Sequence, residues 1–156
     1  MRIYLAAPFC TKSRIRDIAE EARRAGFDVV SSWHDEKVEP GSQTCGPATA
    51  LTQTEAGTAA RGDLNQIKAC DVFVMFAWGG LDRFDFIAAD DVSKHSTGRH
   101  FEAGYAHATG KPIVHVGVSE SIFTRSLVDR QALSWHAALI ELVAMREAEP
   151  KAGEAS

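Results

Sequence analysis

The sequence first shows what it lacks. Only three cysteines occur in 156 residues, Cys10, Cys45 and Cys70. Odd in number and widely spaced, they fit neither a disulfide framework nor a CxxC metal pair, and a reducing cytoplasm is the expected compartment. No apolar run approaches the roughly 20 residues that span a membrane. The opening MRIYLAAPFC has too short an apolar stretch for a secretory leader and reads as a strand. A net charge of −4, with no Lys/Arg cluster, argues against a nucleic-acid polymer as partner. GxGxxG and HExxH are both missing, and the six histidines show no close pairing. No dinucleotide cofactor and no metal are therefore expected.

What is present reads as an ordinary globular chain, 45% hydrophobic and 24% charged. One domain is expected over residues 1–149, with PKAGEAS (150–156) as a disordered tail. RIYLAA (2–7) is a short apolar run ahead of Pro8, suited to a buried parallel strand. SRIRDIAEEARRAG (13–26) carries Ile15, Ile18, Ala19, Ala22 and Ala25 at helical spacing, with Ser13 as candidate N-cap and Gly26 as stop. FDVVSSW (27–33), DVFVMFAW (71–78) and PIVHVGV (112–118) read as further strands. Helices are expected over about 51–70, after Gly98, and near 134–149. Residues 34–49 and 79–98 read as loops, the second long enough to suggest function. The alternation predicts a three-layer α/β/α sandwich on a mostly parallel sheet of four or five strands, flavodoxin- or Rossmann-like.

Such sheets bind ligands beyond the carboxyl ends of their strands. Pro8, Phe9, Ser13 and Arg14 follow the first strand, and the segment from Gly79 to Gly98 follows the third, so these residues should converge. Into that edge the chain places Glu102, within STGRHFEAGYAHATGKP. A first-turn acid can simply serve the helix dipole. Beside two glycines and a long loop, it is also a candidate nucleophile, held ionised by the helix N-terminus. Ser96 and Thr97 are either N-caps or anion ligands. Phe84 and Phe86 either stack on a base or anchor the loop.

Three segments carry a family likeness: RIYLAAPF, GDLNQIKACDVFVMF (62–76) and GRHFEAGYAHATGKPIVHV (98–116). In this order and spacing, across residues 2–118, the chain resembles the nucleoside 2-deoxyribosyltransferase family, including relatives that hydrolyse nucleotide N-glycosidic bonds. The resemblance implies a small-molecule nucleoside or nucleotide as substrate and no cofactor. Glu102 would attack the anomeric carbon, Tyr4 would orient it, and Asp63 would assist at the base. The deoxyribosyltransferases commonly carry an aspartate six positions before the glutamate. Here that place holds Ser96, as in relatives acting on nucleoside 5'-monophosphates, where a serine binds phosphate. Ser96, the backbone N–H groups of Thr97 and Gly98, Ser13 and Arg14 are then phosphate candidates, with Ser126 reaching in from a neighbouring subunit. A homodimer or larger homo-oligomer is also implied. Two other readings stand beside this one: a TIR-like NAD glycohydrolase, and a nucleotide-binding module without turnover.

Overall fold

The computed structural model describes residues 1–37, 51–77, 98–118 and 121–148. Five parallel strands form one sheet in the order β2-β1-β3-β4-β5: β1 (Arg2–Ala6), β2 (Asp28–Val29), β3 (Val72–Phe76), β4 (Ile113–Val116) and β5 (Arg130–Ala132). The helices are α1 (Lys12–Arg24), α2 (Gln53–Ala69), α3 (Gly98–Ala108), the short α4 (Ile122–Ser126) and α5 (Trp135–Ala148). This is the expected α/β fold, in the flavodoxin-like strand order.

The two central strands explain the sheet's stability. All five residues of β3 are buried, as are Ile3 to Ala6 of β1. Each large apolar side chain sealed there contributes about 1.5–3 kcal/mol. Register pairs Tyr4 with Phe73, and Phe73 with Ile113. One face is covered by α1 and α5, joined where the Trp135 indole donates to Glu21 at 2.8 Å. On the other, α2 packs against α3.

α1 buries Ile15, Ile18, Ala19 and Ala22, the periodic positions of the sequence. It begins earlier than expected, after Thr11, so Ser13 is an exposed residue inside the helix and not its cap. Its C-terminus closes in a Schellman motif: Phe27 N–H reaches Ala22 O at 3.1 Å and Gly26 N–H reaches Arg23 O at 3.0 Å. The motif needs a left-handed residue, which Gly26 supplies at φ 86°. Arg146 of α5 completes it, donating to Ala25 O at 2.9 Å and lying 4.7 Å from the centre of the Phe27 ring.

β2 is far shorter than FDVVSSW suggested. Val30 N–H still pairs with Ile3 O at 2.9 Å. Beyond it, side chains replace the ladder. Leu5 N–H donates to Ser31 Oγ at 3.2 Å, and the Trp33 indole donates to Leu5 O at 2.8 Å. The chain then turns through residues 32–36. β5 and α4 were not foreseen, because RQA is a three-residue, mostly exposed edge strand. Leu142 of α5 is buried, with Leu139 and Val143 packed against the same core, so that apolar side serves the interior. Cys70 is buried and free, whereas Cys10 is disulfide-bonded, against the expectation of no disulfide. None of the described helices is long and apolar enough to cross a membrane.

Candidate active site

Tyr4 is wholly buried and stacked nearly parallel on Phe73, ring centres 5.6 Å apart. Its position in β1 turns the ring toward the α2–α3 face, and its hydroxyl donates to Glu102 Oε1 at 3.2 Å. α3 delivers that carboxylate. Ala106, one turn on, is buried, and Ala103 and Tyr105 pack against the core, fixing the helix's rotation. α2 delivers Asp63 in the same way, since Ile67, one turn on, is its fully buried residue. A capping box at Thr52 and Glu55 starts α2, with Thr52 N–H on Glu55 Oε2 at 2.8 Å and Glu55 N–H on Thr52 Oγ1 at 3.3 Å.

Between the two helices lies a cavity of about 280 Å³, lined by Ala60, Asp63, Leu64, Gly98, Phe101 and Glu102. A Cβ at Gly98 would meet nothing within 4 Å, so the backbone there faces open space. Gly104 is also open and lines a second, apolar cavity of about 440 Å³ with Met75, Phe101, Ile113, Phe123 and Leu127. Its missing side chain enlarges that cavity and does not serve close helix packing.

Glu102 stands in the second turn of α3, whose first turn holds no acid. The helix dipole fades within one turn, so burial decides the charge. Burial first, and then the charge of Asp63, push the Glu102 carboxyl up to about 7, against the Tyr4 hydrogen bond that lowers it. Burial followed by the charge of Glu36 pushes Asp63 up to about 6, again opposed by Tyr4. The expected permanently ionised glutamate is thus replaced by a carboxyl pair that exchanges protons near neutrality. Burial and the two nearby carboxylates also raise the Tyr4 phenol, which stays protonated and therefore a donor.

Tyr4, Asp63 and Glu102 come together from three elements. The other named residues divide. Gly98 lines the cavity. Pro8 is buried, and Phe9 packs on Trp33 at 6.0 Å with the Lys12 ammonium 5.5 Å from its ring centre. Neither is among the described residues lining the carboxylate cavity, nor are exposed Ser13, partly buried Arg14 or exposed Ser126 on α4. Ser96, Thr97 and Gly79, with Phe84 and Phe86, lie outside the described residues. Among the described residues no three His, Cys, Asp or Glu gather to hold a metal ion. Phe101 and Glu36 escaped the sequence reading. Phe101 was legible as the neighbour of Glu102, whereas Glu36 acts from a turn with no local signal.

Fold and cluster together define an α/β enzyme type whose carboxylates meet a cavity between two helices. The chain belongs to the nucleoside 2-deoxyribosyltransferase family, whose model matches residues 3–125. None of the curated proteins matches it. Among solved structures it is similar to the CMP N-glycosidase BcmB of Clostridium botulinum, with a TM-score of 0.53 and 20% identity, over 92% of this chain and 99% of that one. It is also similar to the 2-deoxyribosyltransferase of Bacillus psychrosaccharolyticus, with a TM-score of 0.58 and 19% identity, over 87% and 88% of the two chains. BlsM gives a TM-score of 0.59 at 19% identity, over 97% and 96%. At such identities the likeness is one of fold.

Proposed function

We propose that this protein cleaves the N-glycosidic bond of a nucleoside or nucleoside 5'-monophosphate, with Glu102 as nucleophile. One observation carries the reading: the Tyr4 hydroxyl on Glu102, at a cavity that Asp63 also lines. Glu102 attacks C1' as the C1'–N bond breaks, and the bonding electron pair leaves with the base. Asp63 gives the base its proton. The resulting glycosyl ester is then opened at C1' by water, or by a second base, which gives its proton to Asp63 while the electrons of the ester C1'–O bond restore the Glu102 carboxylate.

Burial pushes both carboxyls up, so one proton can be shared between them. Substrate decides where it sits. Positive charge growing on the sugar favours an anionic Glu102, and negative charge growing on the base favours a protonated Asp63. Tyr4 adds to this by donating to the anion. One proton on the pair is therefore the working state.

Ser96 in place of an aspartate supports a 5'-monophosphate substrate and water as acceptor. Incubation with a panel of nucleosides and monophosphates, followed by chromatography, should release free base. A new nucleoside formed on adding a second base identifies transfer; its absence identifies hydrolysis. Full turnover by Glu102→Ala would refute the nucleophile assignment.

We also propose that copies associate through the face around the apolar cavity. Phe101, Ile122 and Phe123 there are each about two-thirds exposed or more, a large amount of apolar surface for a free protein. Sedimentation of the protein as a monomer at assay concentrations would exclude it.

A further inference from the structure

The turn after β2 is fastened more heavily than an exposed connection requires. Trp33 ties it to Leu5 O at 2.8 Å, and Arg16 Nη2 donates to His34 O at 2.9 Å. Asp35 pairs with Arg23 at 3.2 Å, and the buried Lys12 ammonium donates to Glu36 O. β1 and α1 thereby hold residues 32–36 as a fixed point beside α2.

α2 uses that point. Gln66 Oε1 accepts Ser32 N–H at 3.1 Å, and Gln66 Nε2 donates to Ser32 Oγ at 2.7 Å. Gln66 lies three residues, about 4.5 Å along the axis, beyond Asp63 and on a neighbouring line of the same face. Ile67, the helix's one fully buried residue, and partly buried Leu64 seat it on the core, and the Gln66 bonds add a second fixing point on its flank. Both partners are solvent-accessible, so these bonds add little to global stability. Their geometry is the specific part: an amide gripped at both ends resists rotation in a way that one buried side chain does not.

We propose that Gln66 is a positioning residue for Asp63: its two-ended grip on Ser32 sets the rotation of α2 and so the reach of the Asp63 carboxyl toward Tyr4 and Glu102. This rests on the reading of Asp63 as proton donor. Groups that act on Asp63 come from three elements, Tyr4 of β1, Glu102 of α3 and Glu36 of the turn. A rotation of α2 moves Asp63 against all three at once.

The test uses the intact chain with Gln66→Leu, and Ser32→Ala as the milder cut that leaves the main-chain bond. Carboxyl ¹³C NMR follows the titration of Asp63 without substrate, and thermal unfolding is run in parallel. In Gln66→Leu the Asp63 midpoint should move down from about 6 toward the ordinary carboxylate range, because water gains access to it. kcat should fall roughly tenfold or more, with KM within about threefold and Tm nearly unchanged. Ser32→Ala should shift both in the same direction by less. An unmoved Asp63 midpoint in both variants overturns the proposal, as does wild-type kcat in Gln66→Leu. If the wild-type protein releases no base from any substrate, the functional reading fails, and the titration still decides the clamp.

Discussion

Two polar clusters lie beside β1, and only one has the means to do chemistry. In the first, Ser31 Oγ is 3.2 Å from His34 Nε2, and His34 Nδ1 is 3.3 Å from Asp35. By residue type and distance this resembles a nucleophile with its base and orienting acid. Yet Ser31 is 2% exposed, and its oxygen already accepts Leu5 N–H. Burial chiefly lowers the His34 pKa, with Asp35 opposing. At Asp35 burial acts upward, but the His34 ring and the Arg23 guanidinium outweigh it and hold the acid below its usual value. Ser31 and Asp35 are answered by hydrogen-bond partners, and His34 Nδ1 has only its ion-pair approach to Asp35. In the second cluster the carboxyls of Asp63 and Glu102 have one hydroxyl between them, face a cavity, and are driven toward neutrality. What separates them is access, not the identity of the side chains.

The sharpest test of this contrast removes one member from each cluster. Glu102→Ala should lower base release by at least about a thousandfold, the scale of a lost nucleophile. Ser31→Ala should keep most turnover per folded molecule while costing about 1–3 kcal/mol of stability, because Leu5 N–H loses its acceptor. Equal losses of turnover from both changes would erase the distinction.

Next in size is the proton donor. In wild type, kcat/KM should be bell-shaped, with flanks near 6 and 7. Below them Glu102 is neutral and cannot attack; above them no carboxyl proton remains for the base. Asp63→Asn should lower kcat/KM by about 10²–10⁴-fold. It should also abolish the alkaline flank and leave one acid flank, the ionisation of Glu102, below the value of about 7 that it has beside ionised Asp63. A pH profile identical to wild type would show that the pair is not coupled.

The smallest effect concerns stability. Both acids have folded values above the ordinary 3.8 and 4.5, so the folded state binds more protons than the unfolded chain between about pH 4 and 7. Their contribution is therefore present at low pH and is lost as pH rises through the folded values. Glu102→Gln should raise stability at pH 8 by about 1–3 kcal/mol, a few degrees in Tm, and change little at pH 4. Thermal melts at the two pH values check the sign. No gain at pH 8 would mean that the ionised carboxylate is better accommodated than its burial implies.

Much of this architecture could be read from residue order alone. β1 and β3 are unbroken apolar runs, and α1 shows its buried stripe at the expected period. Tyr4, Asp63 and Glu102 were legible because each sits in a recognisable segment of a family pattern. The end of β2 was not, since side chains of Ser31 and Trp33 occupy Leu5 where a ladder was expected. β5 gave too little apolar signal to be a strand before its neighbours were known. The charge state of Glu102 was misjudged for a related reason: a helix position predicts a dipole, but only the assembled fold shows how much water the carboxyl has lost. Lys12 and Glu36 acquire their surroundings in the same way, from elements distant in sequence.

The closure at Gly26 gives the chain a temporal order. Arg146 reaches back across 121 positions to Ala25 and covers the flat side of Phe27. On a chain emerging from the ribosome, the Ala25 carbonyl therefore cannot receive this partner until nearly the last turn of α5 has been synthesised.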